Sequence, residues 1–163
     1  ICVITGAGSG IGEAAGRLFA REGAQVVLLD IYEASGTRVA AEIGDPATFI
    51  ATDVSDPDSV ATAFQEIHKQ FGRLDGLYNN ASVFWGKHDA AVTELDLDIY
   101  HRIVAINHTA GYMVSCCTGG NIGNSGLGAV YHRHRPRVVF RNNIHTAVLA
   151  AMPNSTIRGK CLD

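Results

Sequence analysis

The run Thr5-Gly6-Ala7-Gly8-Ser9-Gly10-Ile11-Gly12 follows directly on the apolar stretch Ile1-Cys2-Val3-Ile4. Four hydrophobic residues read as a buried strand, and the glycines read as a turn opening into a helix. Such a turn lets backbone approach a pyrophosphate with no Cβ in the way. The free N–H groups and positive dipole end of the next helix then hold the anion. Gly6, Ser9, Gly10, Ile11 and Gly12 are the candidate phosphate-side positions. Glycine-rich turns also occur without ligands, but here the preceding strand, the spacing and the following helix agree.

Asp30 ends the next apolar run, about twenty residues past the glycines. An acid there is placed to accept from both ribose hydroxyls of an adenosine, and it repels a 2′-phosphate, so it favours NAD over NADP. The plainer reading is a polar strand end or helix cap. Asp53, in Thr52-Asp53-Val54, is either a turn acid or an acceptor for an adenine amino group. Asn79-Asn80-Ala81-Ser82 ends a further apolar segment; asparagines there form turns or lock a strand edge beside a cofactor.

The elements that must position these groups alternate in type. A helix is expected from Gly10 to Glu22, with Ile11, Ala14, Ala15, Leu18 and Phe19 at helical spacing and Gly23 closing it. Gln25 to Asp30 reads as a strand buried on both faces, Glu33 to Ile43 as a helix, and Ala47 to Ala51 as a strand. Ser55-Asp56-Pro57-Asp58 opens a helix that runs to Gly72, Leu74 to Tyr78 is a fourth strand, and a long helix spans about Leu95 to Ser115. Short links between alternating strands and helices predict an α/β fold, a doubly wound parallel sheet of the Rossmann kind, incomplete on its C-terminal side. The ligand is expected at the C-terminal ends of the strands.

Bulk properties bound the function classes. With 163 residues, 47% hydrophobic and 18% charged, the chain makes one ordinary globular domain. A formal net charge of −3 gives no whole-chain argument for nucleic acid or a membrane surface. Cys2, Cys116, Cys117 and Cys161 have no metal spacing, and His88, His101 and His108 are scattered, so no metal is expected. No apolar run approaches the roughly 20 residues that span a bilayer. Opening on a strand-like run rather than a leader, the chain reads as cytoplasmic, and opening without methionine it reads as a piece of a longer protein.

Together these stations resemble the short-chain dehydrogenase/reductase family. The match is Thr-Gly-x-x-x-Gly-x-Gly at Thr5 to Gly12, the acid at Asp30, Asp53-Val54, Asn79-Asn80-Ala81 with Ser82 where that family usually has glycine, and Asn107 in Ile106-Asn107-His108. It covers roughly Ile1 to Thr118. The resemblance implies NAD(P)-dependent oxidation of alcohols or reduction of carbonyls, with hydride passing between nicotinamide and a small-molecule substrate, and it implies a homo-oligomer. Val54, Asn80 and Ala81 then join the cofactor-binding set, and Asn107 is the family's helix asparagine that helps maintain a water-linked proton relay.

The family's tyrosine base, with a lysine one helical turn later and a serine one strand earlier, is not legible. Tyr131-His132-Arg133-His134-Arg135 comes nearest, but it lacks the serine strand, and arginine does not give up its proton. Ser125, Tyr131 and Lys160 are given no catalytic role. The composition also turns over near Thr118: seven Lys/Arg face fifteen Asp/Glu before it, six face one after it. Residues 1–118 therefore read as the nucleotide-binding domain and 119–163 as a divergent basic tail. An out-of-frame or mis-spliced tail explains this best, then a catalytically inactive NAD-binding pseudoenzyme, then a nucleic-acid-binding extension around Arg133 to Arg141.

Overall fold

The computed structural model describes residues 1–88, 90–91 and 93–117, with two short strands further on, Arg137–Val139 and Ala150–Met152. In chain order, β1 (Cys2–Thr5), α1 (Gly10–Arg21), β2 (Val26–Asp30), α2 (Glu33–Ile43), β3 (Ala47–Ala51), α3 (Pro57–Phe71) and β4 (Gly76–Tyr78) alternate. After a loop come α4 (Leu97–Val104), a π turn (Ala105–Thr109) and α5 (Ala110–Cys117). The four strands form one parallel sheet in the order β3-β2-β1-β4, with Cys2 opposite both Val26 and Gly76. Reversal of the strand order at β1, between β2 and β4, is the doubly wound arrangement, and it opens a crevice at the carboxyl ends of the strands.

Neighbouring residues on a strand point to opposite faces, and the core divides accordingly. Val3, Val27, Leu29 and Leu77 face a cluster completed by Val60, Phe64 and Ile67 of α3 and by Ala110 and Val114 of α5. Ile4, Val26, Leu28 and Tyr78 face the other side, where Val39 of α2 and Phe19 of α1 pack. All of β2 is buried, as its unbroken Val-Val-Leu-Leu run requires of a strand covered by helices on both faces. The sheet is therefore a middle layer between two helix layers.

Local signals account for most boundaries. The Asp56 carboxylate caps α3 by accepting from Asp58 N–H at 3.0 Å, Pro57 occupies the first turn, and Gly72 ends the helix in the left-handed conformation. Three readings change. The helix expected from Gly10 ends at Arg21, and only part of its apolar stripe, Ala15 and Phe19, packs on the core. Gly12 and Gly16 are buried, whereas Ile11 and Leu18 are 67% and 43% exposed. A Cβ on Gly16 would lie 2.9 Å from Leu28 Cδ2, so the small residues let α1 lie close on the sheet, with Ile11 and Leu18 turned outward. The fourth strand is shorter than Leu74 to Tyr78. The single helix from Leu95 to Ser115 begins instead at Leu97, where Asp96 Oδ1 accepts from Asp98 N–H, and is interrupted by the π turn.

Arg137–Val139 and Ala150–Met152 pair antiparallel, with Val138 opposite Ala151. Ser125, Tyr131, Lys160 and the basic run from Arg133 lie outside the described residues, apart from the Arg137 strand position.

On the outer surface, α1 and α2 are joined by a ring of four charges. Glu13 and Glu42 each pair with Arg17 and with Arg38. Hydrogen bonds from Arg38 and then Arg17 hold the Glu13 carboxyl below its ordinary range, and those from Arg17 and then Arg38 do the same for Glu42. A carboxylate depressed by folding stabilises the fold above its unfolded pKa and loses that contribution as pH falls through the folded value. Solvent screening keeps this contribution small, so the ring should add a slight fall in melting temperature between about pH 5 and about pH 3, with a shallower acid slope in Arg38→Gln. Equal slopes would remove the ring from the acid response.

Packing between α2 and β3 supplies a second expectation. A Cβ on Gly36 would lie 2.0 Å from Phe49 Cε2, so any side chain there displaces the ring. Gly36→Val should lower the unfolding free energy by about 2–3 kcal/mol in urea titration. An unchanged midpoint would show that the α2–β3 contact yields freely.

Candidate functional site

The turn after β1 is held from both neighbouring strands. Thr5 Oγ1 accepts from the Asn80 and Ala81 N–H groups, each at 3.0 Å. Asn80 Nδ2 donates in return to the Thr5 and Gly6 carbonyls at 3.1 and 3.2 Å. On the other side, Asp30 Oδ2 accepts from Gly8 N–H at 2.8 Å and Oδ1 from Tyr32 N–H at 2.9 Å. The end of β1 is thus tied to the ends of β4 and β2 beyond the regular ladder.

Crowding explains the glycines. Gly6 has φ +65°, and a Cβ there would lie 2.8 Å from Ala81 Cα. A Cβ on Gly12 would lie 2.1 Å from the Gly6 carbonyl oxygen. Gly10 differs: its φ is +55°, yet nothing lies within 4 Å of the position a Cβ would take. The backbone is packed tightly underneath and open above.

That open side is a cleft of about 310 Å³ at the carboxyl ends of all four strands. Gly6, Ser9, Gly10 and Ile11 line it after β1, Asp30, Ile31 and Tyr32 after β2, and Thr52, Asp53 and Val54 after β3. Asn80 to Val83 line it after β4, with Ile106 from the π turn. The first bond of the α1 ladder is Glu13 N–H to the Ser9 carbonyl at 3.2 Å, and the Ser9 side chain makes no capping bond. The positive end of the helix therefore faces the cleft uncapped, which fits a phosphate. Asp30 stands at the edge with each carboxylate oxygen engaged once, leaving acceptor capacity on both.

A family model described as short chain dehydrogenase matches residues 1–118. The chain belongs to the short-chain dehydrogenase family. It is 38% identical over 132 residues to short-chain dehydrogenase reductase 5 of Arabidopsis thaliana, covering 75% of this chain and 50% of that one. It is 40% identical over 111 residues to cis-4-hydroxycyclohexanecarboxylate dehydrogenase of Sinomonas cyclohexanicum, covering 67% and 44%. Among solved structures it is similar to 3-ketoacyl-(acyl-carrier-protein) reductase from Brucella melitensis complexed with NADH, at TM-score 0.66 and 36% identity over 71% of this chain and 47% of that one. The chain spans about half the length of the relatives it matches.

Within this short-chain dehydrogenase chain, nine of the ten candidate cofactor positions meet in the cleft; Gly12 lies beneath it, against Gly6 and Asn80. Asp53 is a turn acid as well as a lining residue: its Oδ1 accepts from the Ser55 N–H at 2.9 Å and the Ser55 hydroxyl at 2.6 Å. Asn79 and Asn80 divide the work of the β4 end, with Asn79 Nδ2 reaching Gly111 O and Ser115 Oγ on α5. Asn107 does not line the cleft. Its Oδ1 accepts from Val83 N–H and its Nδ2 donates to the Val83 carbonyl, both at 2.8 Å. The side chain thus acts as a positioning group for the loop after β4.

Sequence reasoning passed over Ile31, Tyr32, Thr52, Val83 and Ile106. Their signal was only nearness in sequence to a chosen residue, Asp30, Asp53 or Ala81 after a strand and Asn107 in the π turn. Trp85, in the loop after β4, stacks under Arg102, whose guanidinium lies 5.5 Å from the ring centroid, and is not among the lining residues. Among the described residues the cleft holds one tyrosine, Tyr32, and no lysine. Burial pushes the Tyr78 hydroxyl up, away from use as a base near neutral pH. No group of three or more His, Cys, Asp or Glu among the described residues could hold a metal, and no described helix is long and apolar enough to cross a membrane.

Thr5→Val keeps the shape but leaves the Asn80 and Ala81 N–H groups without their acceptor. It should cost about 1–3 kcal/mol in denaturant unfolding and speed exchange at those two amides, with Thr5→Ser retaining most of the protection. Unaltered exchange in Thr5→Val would show that the hydroxyl is not what joins β1 to β4.

Proposed function

We propose that this chain is the dinucleotide-binding part of an NAD(P)-dependent oxidoreductase acting on an alcohol or carbonyl compound. The observation that carries this reading is the uncapped N-terminus of α1, open above Gly10, with the Asp30 carboxylate across the same cleft. Ser9, Gly10 and Ile11 would hold the pyrophosphate through backbone N–H groups, with Gly6 and Gly12 permitting the turn. Asp30 would accept from the adenosine ribose hydroxyls, while Asp53 and Val54 border the adenine. Asn80 and Ala81 hold the floor beneath the nicotinamide side, and Asn107 keeps the Val83 loop in place beside it. When bound, the nicotinamide supplies or accepts hydride. The relative that carries NADH in its crystal supports a nicotinamide ligand.

The preference is for NAD. A 2′-phosphate about 4 Å from the Asp30 carboxylate meets a repulsion on the order of 1–4 kcal/mol per unit charge between bulk water and a surface site. We also place the domain boundary at 118, where the family match stops, with 119–163 as a separate basic segment. The proton relay of a complete enzyme would lie outside the described residues.

Titrating NADH and NADPH fluorescence against the chain tests the reading. Micromolar NADH binding is expected, and Asp30→Ala should weaken NADH at least about tenfold while weakening NADPH less. Asp30 also orders the turn, so loosening weakens both ligands alike and the ratio reports selectivity. An equal loss would remove the preference, and a folded chain that binds neither would remove the nucleotide reading. Binding without turnover of any carbonyl substrate would mark the polypeptide as a binding module alone.

A further inference from the structure

Three groups of different charge converge on Gly8. Asp30 Oδ2 accepts its N–H at 2.8 Å. Ser35 Oγ, on the first turn of α2, lies 2.6 Å from where a Gly8 Cβ would sit. Arg38, one helical turn further along, directs Nη2 at the Gly8 carbonyl at 3.5 Å. A guanidinium therefore stands beside Gly8, whose N–H is bonded to the Asp30 carboxylate assigned to the adenosine ribose, just outside the residues that line the cleft. It is not available there. Its Nη2 donates to Glu13 Oε2 at 2.9 Å, and its Nη1 donates to both Glu42 oxygens at 3.1 Å.

Exposed ion pairs of this kind add little to stability, because solvent screens them and two long side chains must be ordered. Their larger effect is on where the guanidinium points. An arginine in this position is also the group best shaped to take a phosphate in bidentate fashion. Glu13 and Glu42 satisfy that fork, and Arg17 balances their charge, so both guanidinium groups of this ring are paired.

We propose that Glu13 and Glu42 are specificity-determining residues for the dinucleotide: by holding Arg38, they withhold the cation that a ribose 2′-phosphate needs. The proposal rests on the nucleotide reading of the cleft and adds to the repulsion from Asp30 a second, independent barrier to NADP. Removing Asp30 alone then leaves NADPH binding weak. Removing the two glutamates as well releases Arg38 towards the 2′ position.

Dissociation constants for NADH and NADPH should be measured on the full 163-residue chain and its variants. Asp30→Ser should weaken NADH and leave NADPH poorly bound. Adding Glu13→Gln and Glu42→Gln should tighten NADPH at least about fivefold over Asp30→Ser, more at low salt than at high, and further adding Arg38→Gln should abolish that gain. If the triple variant loses its far-ultraviolet circular dichroism, Asp30→Ser with Glu42→Gln carries the same comparison, with an expected gain of at least about twofold. A wild-type chain that binds NADH while no Arg38-dependent gain appears overturns this inference alone. A folded wild-type chain that binds neither dinucleotide overturns it together with the nucleotide reading beneath.

Discussion

The close approach of Gly12 to the Gly6 carbonyl is the constraint on which the rest of the site depends. With no Cβ at either position, the chain leaves β1, turns within a few residues and starts α1 directly over the strand end. The helix N-terminus is consequently aimed at the crevice made by the reversal of strand order between β2 and β4. Were the turn wider, the helix dipole and its unbonded N–H groups would face solvent instead of a cleft. Thr5 and Asn80 hold this geometry from one side and Asp30 holds it from the other, so groups that look like ligand contacts are also part of the support.

That double use has an energetic logic. A loop exposing several backbone N–H groups to a ligand must be ordered before the ligand arrives, or binding is weakened by the ordering. Here side-chain acceptors at the ends of β1 and β2 take the inward-facing amides of Gly8, Tyr32, Asn80 and Ala81, leaving the start of α1 open to the cleft. Asn107 extends the same arrangement to the loop after β4. The π turn brings its amide to Val83, where it bonds both backbone polar groups at once.

Much of the framework was legible in the residues. The solid Val26 to Leu29 run, the Asp56-Pro57 helix start and the glycine-closed ends produce elements whose bounds for α2 and β3 coincide with the expected ones. These signals are local: a cap, a proline or a four-residue apolar run acts within one turn of itself. The buried face of α1 was legible only in part: Ala15 and Phe19 pack on the core as their spacing suggests, but the sheet selects Gly12 and Gly16 over the large Ile11 and Leu18. The π turn escaped for a related reason. A continuous helical pattern says nothing of a single extra residue accommodated within it.

The sequence by itself determined the alternation of strands and helices, the glycine turn after the first strand, and acids and amides placed at successive strand ends. Those are enough to name the family, because each depends on residue type and short spacing. Only the tertiary structure decided what each side chain does. Asp30 binds the Gly8 amide 22 residues away, Asn80 binds the first strand 75 residues away, and Arg38 is claimed by Glu13 of a different helix. Such pairings arise when the parallel sheet brings distant strand ends to one edge, and no local pattern records which groups will meet there.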